Sequence, residues 1–125
     1  LIEAAGTSTY AELDRRAGRF ARLFAGSGVE PGDRIVVALE NGAEMVAAYF
    51  GALKAGAVAV PLAPGPRSDR LGPAIRDCAP RAALVDQATA RGLGADGPLS
   101  SVPLVLVAAG PRPQELPAGW RRLPE

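Results

Sequence analysis

The chain has 125 residues with a formal net charge of +1, which is one domain's worth of sequence and gives no clustered basic surface for nucleic acid or an acidic membrane. It has no histidine and a single cysteine, Cys78, so Ser-His-Asp and Cys-His catalysis, His-containing zinc patterns and an internal disulfide are excluded within it. Lys54 is the only lysine, and Ala, Gly and Pro are abundant, a bias that suggests a GC-rich bacterial genome.

Leu1 to Ser8 reads as a short strand or arm. Thr9, with Glu12 three residues on, makes a capping box and predicts a helix start. Leu13, Ala17, Phe20, Leu23 and Phe24 recur at helical spacing and form its buried face, with Gly26 and Gly28 as the stop. Pro31-Gly32-Asp33 is a turn, and Arg34 to Leu39 is a continuous apolar run of the kind found in strands covered on both faces. Asn41-Gly42 breaks it. Ala43 to Ala55 is a second helix, with Met45, Val46, Tyr49, Phe50 and Leu53 apolar and Gly56 as its stop. A strand follows over Ala57 to Val60. Ser68 then caps a helix from Asp69 to Cys78, in which Pro73 sits early enough to be tolerated. Arg81 to Val85 is a third buried strand, Gln87 to Leu93 a short helix, and Val102 to Ala108 a fourth strand. The alternation predicts an α/β fold: a partial three-layer parallel sheet flanked by helices. The tail from Gly110 to Glu125 has four prolines in sixteen residues and reads as a linker or strap.

Candidate sites reduce to bland readings. Gly92-Leu93-Gly94-Ala95-Asp96-Gly97 satisfies a dinucleotide fingerprint, yet a helix precedes it and Pro98 follows, the reverse of the strand-to-helix context that the motif needs. Ala63 to Arg70 follows a strand's carboxyl end, where open parallel sheets bind ligands, and Arg67 and Arg70 could grip a phosphate; two prolines remove donors, and solvated arginines are the reading adopted. Asp33, Arg34, Glu40 and Glu44 have no neighbour that would tune a catalytic pKa. Cys78, near a helix carboxyl end, reads as an inert thiol. No stretch reads as a secretory signal, and the apolar stretch around Lys54 is too broken to span a membrane. A soluble protein in a reducing cytoplasm is expected.

Five pieces stand in order: Tyr10-Ala11-Glu12-Leu13; Gly28-Val29-Glu30-Pro31-Gly32-Asp33-Arg34-Ile35; Ala48-Tyr49-Phe50-Gly51-Ala52-Leu53-Lys54-Ala55-Gly56; Val60-Pro61-Leu62; and Arg81-Ala82-Ala83-Leu84-Val85. Together they resemble the start of an adenylate-forming enzyme, the superfamily of acyl-CoA synthetases, fatty-acyl-AMP ligases and nonribosomal peptide synthetase adenylation domains. Val60-Pro61-Leu62-Ala63-Pro64-Gly65-Pro66-Arg67, with Ala47 to Gly51, looks more like the fatty-acyl-AMP ligase branch. The resemblance implies that residues 1–109 are an N-terminal subdomain segment of an AMP-binding domain, with 110–125 a Pro-rich linker. It implies ATP and Mg for the parent enzyme, and as partners the remainder of the adenylation domain and an acyl or peptidyl carrier protein. No catalytic, cofactor-binding or metal-binding residue is carried over, because the family's phosphate loop and catalytic lysine would lie beyond Glu125. The start at Leu1 without Met and the family register both suggest a piece of something longer, whose half-built sheet would leave an unpaired edge. The alternative is an inert adenylation-like scaffold module within a polyketide or peptide synthase.

Overall fold

The computed structural model describes residues 2–3, 6–7, 9–65, 71–94, 96–108, 116 and 119–123. At its start, β1 (Ile2–Glu3) and β2 (Gly6–Thr7) pair antiparallel. Thr9 then accepts the Glu12 amide at 3.1 Å and starts α1 (Tyr10–Gly26), as the capping signal predicts. Ala17, Phe20 and Phe24 are buried, and the two phenyl rings, one helical turn apart, stack with centroids at 6.0 Å. The helix ends in a Schellman turn: the Val29 amide donates to Phe24 O at 3.0 Å and that of Gly28, at φ 88°, to Ala25 O at 3.2 Å.

The turn feeds β3 (Arg34–Ala38), and α2 (Ala43–Lys54) follows. A second Schellman turn closes α2, with Ala57 bonded to Ala52 O and Gly56, at φ 79°, to Leu53 O, each at 3.0 Å. The same device thus aims two successive helices back into strands. Next come β4 (Val58–Pro61), α3, described over Leu71–Cys78, β5 (Ala82–Val85), α4 (Gln87–Leu93), a 3-10 turn over Pro98–Ser101, β6 (Leu104–Val107) and β7 (Trp120–Arg122). The Ser68 cap and the helix start at Asp69 lie outside the described residues.

Five strands make one all-parallel sheet in the order β4-β3-β5-β6-β7. Alternate side chains supply two cores. Ile35, Val37, Leu84 and Leu106 pack with Phe20 and Phe24 of α1 and Ala48 and Ala52 of α2. On the other face Val36, Val85, Val105 and Val107 pack with Leu71 and Ile75 of α3, Ala90 of α4 and Leu99 of the 3-10 turn. Being buried on both faces is why these strands read as unbroken apolar runs.

Three features depart from the sequence reading. First, α2 buries its small residues: Ala43, Ala47, Ala48, Gly51 and Ala52 are buried, while Met45 is partly buried, Phe50 is 51% exposed and Leu53 47%. The helix lies between α1 and the sheet, and small side chains let both neighbours approach. Second, β4 is an edge strand with Val58 49% exposed. Third, the tail read as a linker contributes β7, whose Trp120, Arg121 and Arg122 pair with Val105, Leu106 and Val107.

Candidate functional site

The strand order reverses between β3 and β5: the chain leaves β3 for β4 on one side and returns to place β5 on the other. In open parallel sheets the loops at such a reversal separate and leave a crevice at the carboxyl ends of the strands. Two adjoining depressions lie there. One, of about 280 Å³, is lined by Glu40, Asn41, Gly42, Glu44, Asp86 and Ala108. The other, of about 360 Å³, is lined by Val37, Met45 and the post-β4 segment Pro61 to Pro64, and Leu39 and Asn41 border both.

Hydrogen bonds from neighbouring elements hold these loops. Leu62 N donates to Val37 O at 3.0 Å and Ala108 N to Val85 O at 2.9 Å, each carrying a ladder one step past its strand. Asp86 caps α4, its Oδ1 accepting the Thr89 amide at 2.7 Å. Thr89 is fully buried, and its Oγ1 accepts the Gly65 amide at 2.8 Å, tying the loop after β4 to the first turn of α4.

The described lining of the crevice carries Glu40, Glu44 and Asp86 and no Lys or Arg. Among the described residues no group of three His, Cys, Asp or Glu side chains is placed to hold a metal ion. The described lining thus offers no cationic side chain to the phosphates of ATP, and no chemical step is assigned to it.

The structure separates the residues weighed from sequence. Glu40 and Glu44 border the crevice, whereas Asp33 and Arg34 lie at the opposite, amino end of β3. Arg67 and Arg70 lie outside the described residues. Gly92 is within α4, Gly94 caps that helix at φ 76° and Gly97 precedes the short 3-10 turn, so the glycine run is fed by a helix and not by a strand. Burial pushes the Cys78 thiol pKa up, against the smaller opposing pull of the Arg34 guanidinium, which donates to Cys78 O at 3.0 Å; the thiol form is favoured. Asn41 and Asp86 were not singled out from sequence. Asp86 carried a usable signal, an Asp placed to cap a short helix; Asn41 carried only a strand-breaking Asn-Gly.

An all-parallel sheet with helices on both faces and a crevice where the strand order reverses defines a doubly wound α/β unit. The family model for AMP-binding enzymes matches residues 1–123, and the chain belongs to that family. It is 46% identical over 67 residues to a salicyl-AMP ligase / salicyl-S-ArCP synthetase of Mycobacterium tuberculosis (strain ATCC 25618 / H37Rv), a stretch covering 54% of this chain and 12% of that protein. Among solved structures it resembles a benzoate CoA ligase from Burkholderia xenovorans LB400, at TM-score 0.69 and 29% identity over 85% of this chain and 22% of that one. It also resembles VinN in complex with 3-methylaspartate, at TM-score 0.68 and 40% identity over 74% of this chain and 26% of that one. The chain thus spans a quarter or less of the first two and about a quarter of the third. Among the described residues no helix is long and apolar enough to cross a membrane.

Proposed function

We propose that the chain is the opening structural part, with the strand Trp120–Arg122 included, of the large domain of an ATP- and Mg-dependent ligase that activates a carboxylic acid as its acyl-adenylate. The parent enzyme then passes the acyl group to a carrier protein or to coenzyme A, in a bacterial cytoplasm. The observation that carries this reading is the match to AMP-binding enzymes over residues 1–123. On this reading the acidic crevice is a wall of the domain, and the phosphate-binding groups come from elsewhere in the parent polypeptide. The fatty-acyl-AMP ligase branch is the acid class we assign, on the strength of the segment Val60 to Arg67.

The test is ATP–pyrophosphate exchange by the intact natural polypeptide that carries this segment, against long-chain fatty acids, aryl acids and amino acids. Exchange with any of these supports adenylation, and exchange confined to fatty acids supports the branch. Exchange confined to aryl or amino acids removes the branch and keeps the ligase. No exchange with any acid, from a folded polypeptide, assigns the segment to the inert scaffold class.

A further inference from the structure

The sheet has a second concavity at the end away from the crevice. At the amino ends of β3, β5 and β6 a cavity of about 440 Å³ is lined by Arg34, Arg76 and Arg81. Among the described residues the one ion pair is Lys54 with Asp14, so none of these three guanidiniums is matched by a carboxylate there. The acidic residue on the lining, Asp33, turns one carboxylate oxygen to the Glu30 amide at 2.8 Å. The whole chain carries a formal charge of only +1, so three arginines beside one aspartate is a local excess.

Two of the three side chains are held by the protein. Arg34 Nη1 donates to Cys78 O at 3.0 Å, which places its charge over the carboxyl end of α3. Arg81 packs across Gly28, where an added Cβ would stand 2.8 Å from Arg81 Nη2. Ala79, on the same lining, is the only described non-glycine residue at positive φ (45°), and it lies in the turn between Arg76 and Arg81. Its amide donates to Ile75 O at 3.1 Å, so Ala79 takes the left-handed position that ends α3. Ile75, Pro80 and Val102 beneath the lining are buried and Pro103 is exposed at its rim, and the lining holds no aromatic ring on which a base could stack.

We propose that this cavity docks an acidic peptide segment of a partner protein, with carboxylates on Arg34, Arg76 and Arg81 and the adjoining peptide against the exposed Pro103 at the rim. Charge complementarity selects the partner, and three guanidiniums spread along one lining suit successive carboxylates of a peptide. The site lies at the opposite end of the sheet from the crevice and does not depend on the ligase reading.

The test is fluorescence anisotropy of a labelled eight-residue peptide alternating Glu and Leu, bound to the intact polypeptide at low ionic strength. A peptide with Gln in place of Glu is expected to bind at least tenfold more weakly. The pair Arg76→Glu and Arg81→Glu is expected to weaken the Glu peptide at least tenfold with an unchanged circular dichroism spectrum. The neutral pair Arg76→Gln and Arg81→Gln gives a smaller loss and serves if charge reversal disturbs folding. Equal affinity for the two peptides, no binding of either, or no loss in the folded variants would overturn the proposal. So would inorganic phosphate that binds more tightly than the Glu peptide and is lost in the same variants, since that assigns the site to a free oxyanion.

Discussion

Gly51 of α2 sits directly against Phe20 of α1: a Cβ added at Gly51 would clash with the Phe20 Cβ and lie 2.9 Å from the Ala17 carbonyl oxygen. The absence of a side chain is what brings the helices close enough for Phe20 and Phe24 to reach the core over Ile35 and Val37. Replacing a mid-helix glycine by alanine ordinarily gains about 0.5–1 kcal/mol of stability. Here the sign reverses. Gly51→Ala is expected to lower stability by about 1–3 kcal/mol, the usual range for overpacking, and Gly51→Val by more. The denaturant midpoint of the intact protein checks this, and a stabilised Gly51→Ala would refute the close approach.

The helix start at Thr9 yields a second prediction. Its Oγ1 accepts the Glu12 amide at 3.1 Å, and Thr9→Ala leaves that amide without its cap. A loss of about 1 kcal/mol is expected, while Thr9→Ser keeps the acceptor and most of the stability. Equal losses in the two variants, read from urea unfolding, would show that the cap hydrogen bond does not stabilise α1.

Two left-handed positions should respond in opposite directions. Gly56 at φ 79° allows the α2 stop, so Gly56→Ala is expected to destabilise by about 1–2 kcal/mol. Ala79 at φ 45° carries a Cβ in the same region of backbone space. Ala79→Gly removes that strain, partly offset by the added freedom of the unfolded chain, and a gain of up to about 1 kcal/mol is expected. If both thermal midpoints fall, the strain assigned to Ala79 is contradicted; if both rise, the requirement for glycine at position 56 is.

Lys54 reaches from the end of α2 to Asp14 of α1 at 2.6 Å, and its hydrogen bond and charge pull the Asp14 carboxyl below its ordinary pKa. A carboxyl depressed in the folded state stabilises above its unfolded pKa, and the contribution fades as pH falls through the lower folded value. Both side chains are exposed, so the expected readout is titration by NMR and not a large stability change. In Lys54→Gln the Asp14 midpoint should rise to the ordinary carboxylate range, and raised salt should move the wild-type midpoint the same way. A midpoint indifferent to Lys54 would remove the pair as its cause.

Local chemistry made much of this fold readable. The Thr9 cap, the glycines at positions 28 and 56 and the apolar runs through Val36, Leu84 and Leu106 act within a few residues, and the helix Gln87–Leu93 was read at its observed bounds. What depended on distant packing was not readable. Large apolar residues along Met45 to Leu53 marked a helix, but which face is buried depends on Phe20, some thirty residues earlier in the chain. The three-residue strand Trp120–Arg122 lacks a pattern of its own and exists by pairing with β6. The same holds for the crevice. Asn41 and Asp86 are brought to it by strand order, whereas Glu40 and Glu44, close together in sequence, gave no sign that they would border a common cleft.

Thr89 offers the most direct test of how that crevice is built. It is fully buried, and its hydroxyl is the acceptor for Gly65 N at 2.8 Å, a bond between α4 and the loop that closes one side of the cleft. Thr89→Val is nearly equal in volume, so the packing of α4 is retained while the acceptor is lost. A buried amide left without its partner costs about 1–3 kcal/mol, borne by the global fold if the loop stays in place. The loop has another course: Gly65 can swing out to water, which spares the fold and opens the cleft. Hydrogen exchange at the Gly65 and Leu62 amides of the intact protein separates these outcomes. Faster exchange at Gly65 with Leu62 still protected through Val37 O means that Thr89 anchors the loop locally. Faster exchange at both means that the tie holds the whole segment after β4, and unchanged exchange at both would show that the hydroxyl does not position the loop.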